Sequence, residues 1–472
     1  MICNYPKWAL PWLIFIKISM LLNKKLFCFA LFTVFAFCCN AYGQSDLNHV
    51  EGDMKAINTL LDRGKFKEAT LAVDRIISAG TMMPPEMIYE YARIYGLAGD
   101  KVKSVKLLNV AIDKGFWSIN RVKEDNELKA IIGDAEVDHV LKRIRGFTAL
   151  YTSGKAFLSN EEKKLVIDLV RQGLKTHYFD AKKANEMSEE VLRMFDEGFF
   201  KGKDTLNVFT DELVKYFRDK TNDKHFYIGV DYNELTERVP NLSVTTEEER
   251  NFGFREVAVR NGNIGYIRWD ECIAGPEAYE TAQNALNLLR YTRAIIIDIS
   301  ENGGGNGEIS TFLYHYLFKS SDKRFETLLV KKCKDESEWH RSEPPVAPLS
   351  GGPDLGDKPI YILTSGNTFS AAEYFAFMMK ELRRATIVGK NTGGGGNPVN
   401  FVSDGRFMMY VPTCQIMTKT GKSLEGKGVS PDIELITQEW SNELMQVVNA
   451  DLEKKSDSYK DLRNHRSDSE SP

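Results

Sequence analysis

The sequence predicts a multidomain protein in which an α-helical repeat region and a helical bundle precede an α/β core. Two observations predict this order. Helical periodicity dominates residues 47–225, whereas short apolar runs alternate with amphipathic runs within residues 226–437. Such alternation is typical of a layered α/β domain. The 472 residues are enough for two to four domains, at roughly 100–200 residues per domain.

Composition and charge narrow the class of protein. The chain is 43% hydrophobic and 27% charged, as globular proteins are, and its formal net charge is −4. It has no basic block and no nucleic-acid reading motif, so we expect no nucleic-acid partner.

Residues 1–43 are predicted to be an export signal with an upstream extension. The apolar run 26–39 follows a basic stretch, is short for a membrane span, and precedes a small-x-small cleavage site at 41–43. Met20 is predicted to be the natural start, and the stretch before it is interpreted as a mis-assigned upstream start. Two alternatives stay open, a membrane hairpin and a lipidated cysteine at the end of the run, so any membrane contact is expected only through an N-terminal anchor. We expect an exported protein, periplasmic or associated with the cell envelope of a bacterium.

Three cysteines remain after this segment, Cys272, Cys333 and Cys414. Three thiols cannot all pair, so the mature chain is not a disulfide scaffold and depends on its core. The absence of a CxxC spacing from the sequence argues against a structural zinc site.

Residues 47–148 are predicted to form helical repeats. Gly64 and Gly99 lie 35 residues apart within similar segments, close to the tetratricopeptide period of about 34. Each glycine would occupy the turn of a helix pair. The region resembles tetratricopeptide repeats, and two interpretations stay open: a dock for a peptide or protein partner, or a spacer.

Residues 155–225 are predicted to form a bundle of about three helices that starts at Ser159 and leads into the strand 227–230. Residues 226–437 follow as the α/β core. Its expected strands are 264–269, 294–298, 359–363 and 385–389, and its expected helices lie near 282–289, 309–318 and 374–382. Residues 438–472 are predicted to be a C-terminal helix and a polar tail, disordered after about Leu452.

Ser370 is the most informative residue of the core. It follows a predicted strand and opens an amphipathic run. Unpaired N–H groups and the positive end of the helix dipole collect at such a point, where they can stabilise the oxyanion formed when a serine attacks a carbonyl. The alternative is that Ser370 only caps the helix.

Four segments in order carry a family resemblance: Asp223–Phe226, Asp298–Gly305, Thr368–Glu373 and Glu425–Ile433. Over residues 155–437 the chain resembles the C-terminal processing, or tail-specific, superfamily of serine peptidases. The resemblance implies a catalytic core of the ClpP/crotonase-like kind. One branch of this superfamily uses a lysine base, and Gly395 stands at the matching position here. The chain is therefore more similar to the histidine-base branch, which includes the tricorn core protease and the interphotoreceptor retinoid-binding protein modules.

The resemblance implies a role for each site residue. Ser370 would be the nucleophile and His225 the general base, with Glu425 behind the histidine directly or through a relay. The oxyanion hole would be formed by the N–H of Ala371 and one from Gly303 or Gly304. Gly304 is preferred, since glycine lets the backbone approach the scissile carbonyl.

Two positions depart from the family's motifs. Lys224 replaces the serine that precedes the histidine in tricorn-type sites, and Ser300 replaces the arginine of the glycine motif. Residues 393–396 are expected to form a flexible glycine loop near the site.

The sequence thus predicts an exported serine peptidase that hydrolyses peptides or unfolded proteins through an acyl-enzyme, with no metal and no organic cofactor. The alternative is a non-catalytic protein that binds a peptide or an apolar ligand on the same scaffold. A third reading, a periplasmic scaffold whose repeats carry the function, leaves the serine-centred motifs unexplained.

Overall fold

A computed structural model describes residues 56–78, 85–231, 246–437 and 440–468, with side chains to residue 454. The predicted export signal at 1–43 lies outside these residues. Within them, no helix has the length and apolar character needed to cross a membrane. The chain divides into two compact units, one of residues 1–156 with 230–238 and the other of residues 157–229 with 239–472.

The first unit is helical in its described part. Residues 56–62 form a helix. It is followed by α1 (Phe66–Ser78), α2 (Pro85–Leu97), α3 (Lys101–Asp113), α4 (Ile119–Glu124), α5 (Asn126–Ile132) and α6 (Asp134–Thr152). Gly64 and Gly99 have φ values of 68° and 89° and occupy the turns before α1 and α3, a left-handed conformation that glycine adopts without strain. Small and apolar residues such as Ala72, Ile76 and Tyr91 fill the core between these helices. The assignment to tetratricopeptide repeats stays a prediction.

The second unit begins with three helices, α7 (Asn160–His177), α8 (Ala181–Asp196) and α9 (Leu206–Thr221). Ser159 caps α7 by accepting from the Glu162 N–H, and the Glu162 carboxylate accepts from the Ser159 N–H in return. At the other end of this segment, Asn222 terminates α9 in the left-handed conformation, with φ 59°. His225 follows this turn, three residues after Asn222.

The rest of the second unit is α/β. Its strands are β1 (Tyr227–Val230), β2 (Phe254–Arg260), β3 (Ile264–Trp269), β4 (Ala294–Asp298), β5 (Leu329–Cys333), β6 (His340–Arg341), β7 (Ile360–Thr364), β8 (Thr386–Gly389), β9 (Val399–Ser403), β10 (Phe407–Pro412), β11 (Cys414–Thr418) and β12 (Ile433–Glu434). Its helices are α10 (Pro276–Leu288), α11 (Glu308–Leu317), α12 (Ala371–Glu381) and α13 (Trp440–Asp468). Each predicted core strand and helix is present, with bounds shifted by a few residues.

The main sheet has six strands in the order β12-β8-β7-β4-β3-β2. All neighbours pair in parallel except β2 and β3, which are antiparallel. The carboxyl ends of β4 and β7 therefore meet at one edge, where ligand sites of parallel sheets collect.

Both faces of the main sheet are covered. Along β4, Ile295 and Ile297 pack with Phe312 and Phe375 from α11 and α12. Ile296 points to the opposite face and packs in a cluster with Val448 of α13. Burial on both sides explains why β4 reads as a continuous apolar run.

Two three-stranded sheets complete the unit, in the orders β1-β10-β9 and β11-β5-β6. In the second, Cys333 lies directly opposite Cys414 and forms a disulfide with it, while Cys272 is free and buried. The sequence showed that three cysteines cannot all pair, but the pairing itself depends on this register.

The C-terminal helix is longer than expected. We predicted disorder after about Leu452, whereas α13 continues to Asp468. The polar run 453–468 contains neither proline nor glycine. A polar surface therefore does not interrupt the helix here, because polar residues such as lysine and glutamate are good helix formers.

We expect loss of the disulfide to destabilise the protein, because the bridge closes a segment of 81 residues in the unfolded chain. A double variant, Cys333→Ala with Cys414→Ala, should lower the free energy of unfolding by about 2–4 kcal/mol. Urea titrations with and without reductant measure this. Reductant should shift the wild type toward the double variant and leave the double variant unchanged; equal stability of all four samples would contradict the expectation.

Candidate active site

Ser370 occupies a sharp turn between β7 and α12. Its φ and ψ are 54° and −123°, a positive φ that residues other than glycine rarely adopt. Such backbone costs on the order of 1–3 kcal/mol and persists where the surroundings enforce it, often at functional sites. The hydroxyl-bearing residue is therefore held in place by its neighbours and is not a relaxed helix cap.

The turn is fastened to the end of β4. The buried Thr368 hydroxyl donates to the Ile299 carbonyl at 2.8 Å, and the Phe369 N–H donates to the Asn302 carbonyl at 3.0 Å. Gly304, with φ 103°, lies so close that a Cβ there would stand 2.8 Å from the Cβ of Ser370. A larger residue at position 304 would displace the serine.

The backbone N–H groups around Ser370 differ in their availability. Ala371 is the first residue of α12, so its N–H has no intrahelical acceptor. The Gly304 N–H donates to the Asn302 side-chain oxygen at 2.9 Å. Gly303 is exposed, and its N–H forms no hydrogen bond within the described part of the chain.

Glu373 is a buried carboxylate in the first turn of α12. It accepts from the Ser370 N–H at 3.0 Å, from the Gly394 and Gly395 N–H groups at 2.7 and 2.8 Å, and from the Thr392 hydroxyl. Burial raises the pKa of Glu373, and these hydrogen bonds oppose the rise. The side chain joins the serine turn to the glycine loop.

The glycine loop is fixed, so the expectation of a flexible segment at 393–396 is wrong. Gly394, Gly395 and Gly396 are buried, and their N–H groups donate to two carboxylates, those of Glu373 and Glu425. The glycines serve close packing here, because a Cβ on Gly395 would lie 2.1 Å from the Phe369 ring. A lysine at position 395 would not fit this arrangement.

His225 is nearly buried, with 6% of its side chain exposed. Its backbone N–H donates to Oδ1 of Asp223 at 2.9 Å, and its Nδ1 lies 3.3 Å from the same oxygen. Its ring packs against Phe369, with centroids 4.7 Å apart, so the imidazole lies beside the residue that precedes Ser370. A carboxylate on Nδ1 selects the tautomer that leaves Nε2 as an acceptor.

A second carboxyl group lies behind this pair. Oδ2 of Asp223 accepts from the Asn397 side chain at 2.8 Å, and Oε2 of Glu425 accepts from the Gly396 and Asn397 N–H groups, both at 2.7 Å. Burial and then the charge of Asp223 raise the pKa of Glu425 to about 7. Asn397 thus connects the two carboxyl groups, and Asp223 rather than Glu425 lies directly on the histidine.

Two buried side-chain atoms of the site have no hydrogen-bond partner among the described residues: Nε2 of His225 and Oε1 of Glu425. A hydrogen bond between the Ser370 hydroxyl and Nε2 is accordingly not formed in this structure. In unliganded enzymes such bonds are often long and tighten when substrate binds.

The departures from the resembled motifs have local roles. The Lys224 ammonium donates to the Gly393 carbonyl at 2.5 Å and so helps hold the glycine loop. The Ser300 carbonyl accepts from the Ser365 hydroxyl at 2.5 Å. Both positions therefore support the turns around the serine.

Asp223, His225 and Glu425 could also hold a cation. One potential ligand atom from each lies within 4.8 Å of the others. Asp223 already has the histidine and Asn397 as partners, so the arrangement equally suits a relay that positions an imidazole.

The structure brings the sequence-predicted residues into one compact unit: Ser370, Ala371, Gly303 and Gly304 form one side, and His225 and Glu425 the other. Sequence reasoning gave no role to Asp223, Glu373 or Asn397. Asp223 was quoted within its motif, and an aspartate two residues before a histidine is a turn-forming pattern that could have indicated the pairing. Glu373, three residues after a helix-opening serine, matches a capping-box spacing.

Part of the chain is similar to known proteins. Residues 263–435 match Peptidase family S41. The matched segment contains Ser370 and Glu425, whereas His225 lies before it.

Two curated proteins that are similar to parts of this chain have names that describe bacterial proteases. The chain is 26% identical over 152 residues to a probable CtpA-like serine protease of Staphylococcus epidermidis, covering 32% of this chain and 29% of the relative. It is 37% identical over 82 residues to the carboxy-terminal-processing protease of Bartonella bacilliformis, covering 17% and 19%. The match thus spans less than a third of the length of these curated relatives.

Solved structures give weaker likenesses. The photosystem II D1 C-terminal processing protease has a TM-score of 0.29 at 24% identity, covering 38% of this chain and 44% of that one. The tricorn protease has a TM-score of 0.35 at 14% identity, covering 58% and 34%. These TM-scores are too low for the comparison to define the fold.

Glu425 should make stability depend on pH. Its pKa of about 7 in the folded protein lies above the usual 4.5. The folded state therefore keeps a proton that the unfolded chain releases, and the stability that this proton contributes is lost as pH rises from about 4.5 through 7. Glu425→Gln should remove this loss, a difference on the order of 1–3 kcal/mol between pH 5 and pH 8.

Urea unfolding of the wild type and Glu425→Gln at both pH values measures the effect. Glu434→Gln, which changes an exposed carboxylate, serves as the control and should follow the wild type. An identical pH dependence in all three proteins would show that the Glu425 carboxyl ionises normally.

Proposed function

We propose that the protein is an exported serine peptidase that cleaves peptide bonds through an acyl-enzyme on Ser370, with His225 as the general base. The observation that carries the proposal is the enforced positive φ of Ser370 at the N-terminus of α12, with Gly304 packed against it. This geometry presents a serine beside unpaired N–H groups, which is what attack on a carbonyl requires.

The reaction follows from the contacts of these groups. Nε2 of His225 takes the proton from the Ser370 hydroxyl as the oxygen attacks the scissile carbonyl carbon. The imidazolium then donates the proton to the leaving amine as the C–N bond breaks. Water, activated by the same nitrogen, hydrolyses the ester and regenerates the serine.

The oxyanion that forms during each attack needs two donors. The N–H of Ala371 is one, because it is unpaired at the helix start. For the second we propose Gly303, since its N–H is unengaged while that of Gly304 already donates to Asn302. Gly304 then contributes by its lack of a Cβ.

Asp223 is proposed to orient the histidine and to stabilise the imidazolium, because its carboxylate contacts Nδ1. Glu425 acts one step behind through Asn397, which contacts both carboxyl groups. Of the two arrangements expected for Glu425, a direct contact with the histidine or a relay, this is the relay.

Export is supported by the disulfide between Cys333 and Cys414, since disulfides persist in oxidising compartments. It agrees with the export signal predicted at 1–43 and with a periplasmic or envelope location in a bacterium. The substrates we propose are peptides or unfolded chain ends, with residues 47–148 as a dock for a partner or substrate.

One observation favours a second function, a non-catalytic protein that binds peptides or apolar ligands on the same scaffold. Nε2 of His225 makes no hydrogen bond to Ser370 in the structure. A binding protein has no need for that contact, whereas a peptidase must form it when substrate arrives.

Labelling with a fluorophosphonate probe separates the two functions, because the probe reacts only with an activated serine. The wild type should be labelled, Ser370→Ala should not, and His225→Ala should be labelled at least about 100-fold more slowly. Ser320→Ala and His139→Ala, at exposed positions, serve as matched controls and should behave as the wild type. Absence of labelling in every protein, the wild type included, would favour the binding protein. Equal labelling of every variant would assign the reaction to a different nucleophile.

Asp223→Asn should lower kcat on a cleaved peptide by about 10²–10⁴-fold, because the amide cannot stabilise the imidazolium. KM should change little, since Asp223 lies behind the histidine and away from bound substrate. A variant that lost affinity but kept kcat would assign Asp223 to substrate binding instead. Steady-state kinetics on an internally quenched peptide distinguish the two results.

A further inference from the structure

A cavity of about 50 Å³ lies beside the first turn of α12 and is lined there by Ala371 and Tyr374. It is bounded by α11, α12 and the sheet β11-β5-β6. A carbonyl oxygen bound by the Ala371 N–H would place the substrate residue on the acyl side of the scissile bond next to this cavity. We call it the Glu343 cavity, after the carboxylate described below.

The walls of the Glu343 cavity are apolar and narrow. Tyr314, Met378 and Ile416 line it and are buried. A buried water needs at least about 10–15 Å³ of cavity volume, so the cavity has room for about three to five water molecules. This space suits one unbranched side chain better than an aromatic ring.

The polar part of the cavity contains two groups that have room for a further partner. Ser310 is 5% exposed, and apart from an interaction with the Tyr314 side chain its hydroxyl has no hydrogen-bond partner within the described residues. The Glu343 carboxylate forms neither a hydrogen bond nor an ion pair with any described residue. Ser310 is buried and Glu343 is half-buried. Polar groups that are removed from water are normally paired, so these two point to a ligand group that donates hydrogen bonds.

The residues around Glu343 would favour the charged form of its carboxyl group if a ligand cation occupied the cavity. Its carboxylate packs at the start of α11, where a Cβ on Gly307 would stand 2.8 Å from Oε1, and helix N-termini stabilise anions. Burial raises the pKa of Glu343, while the charges of Lys331 and Arg341 oppose the rise. A partner cation would remove the cost of burying the carboxylate.

We propose that the Glu343 cavity receives the side chain of the acyl-side residue and selects lysine. The four methylene groups would lie along Tyr314, Met378 and Ile416, and the ammonium would donate to the Glu343 carboxylate and the Ser310 hydroxyl. The inference rests on the proposed peptidase function, since it names the substrate class of that same site. Arg341 also lines the cavity, and a preference for glutamate would assign the selection to it.

Binding tests the cavity without requiring turnover. In the Ser370→Ala background, calorimetry compares tetrapeptides that end in lysine, norleucine or glutamate and are otherwise identical. The lysine peptide should bind about 10- to 100-fold more tightly than the norleucine peptide. Adding Glu343→Gln should abolish that difference, while adding Glu338→Gln, an exposed carboxylate of the same segment, should preserve it.

Kinetics test the same selection in the active protein. On internally quenched peptides that differ at one residue, kcat/KM for lysine should exceed that for norleucine by a similar factor, and Glu343→Gln should lower only the lysine value. Ser310→Ala should lower it less and replaces Glu343→Gln if that variant fails to fold, as judged by its thermal unfolding. Equal kcat/KM for lysine and norleucine, or a preference for glutamate, overturns the inference.

The two proposals fail in different ways. Cleavage at Ser370 without a lysine preference would refute the cavity assignment and leave the peptidase intact. Selective binding of the lysine peptide by a protein that no fluorophosphonate labels would refute the peptidase and leave the cavity as a recognition site.

Discussion

The site depends on one buried carboxylate, that of Glu373. It accepts hydrogen bonds from the Ser370 N–H, the Thr392 hydroxyl and two N–H groups of the glycine loop. A buried charge is stable only where hydrogen-bond donors surround it, so both segments must lie next to the Glu373 carboxylate. Their hydrogen bonds to it fix the serine turn and the glycine loop relative to each other.

The glycine loop that Glu373 holds also contacts the residues around His225. The same loop continues to Gly396 and Asn397, whose N–H groups hold Glu425, and the Asn397 side chain reaches Asp223. The position of His225 is thus linked to that of Ser370 through the loop, although the two residues belong to distant parts of the chain. A lone positive φ at Ser370 would relax without such support.

The elements of the α/β core were largely predictable because their signals are local. The continuous apolar run of β4 is typical of a strand that is buried on both faces. The amphipathic run of α12 is typical of a helix that is buried on one face. Two groups of strands were not predicted: β5, β6, β9, β10 and β11 of the two small sheets, and the edge strands β2 and β12 of the main sheet. Strand propensity depends strongly on the surrounding packing, so these strands have weak local signals. The polar run after Leu452 was misjudged because composition was given more weight than helix propensity.

The sequence by itself determined the turn at Ser370, the order of the motifs, and the candidates Ser370 and His225, because strand-turn-helix signals and motif spacing are properties of adjacent residues. Only the tertiary structure decided that Asp223 lies on the histidine and that Gly304 already donates to Asn302. It alone made the glycine loop rigid. Each of these outcomes is a contact across more than one segment, and burial fixes such contacts only after the chain has folded.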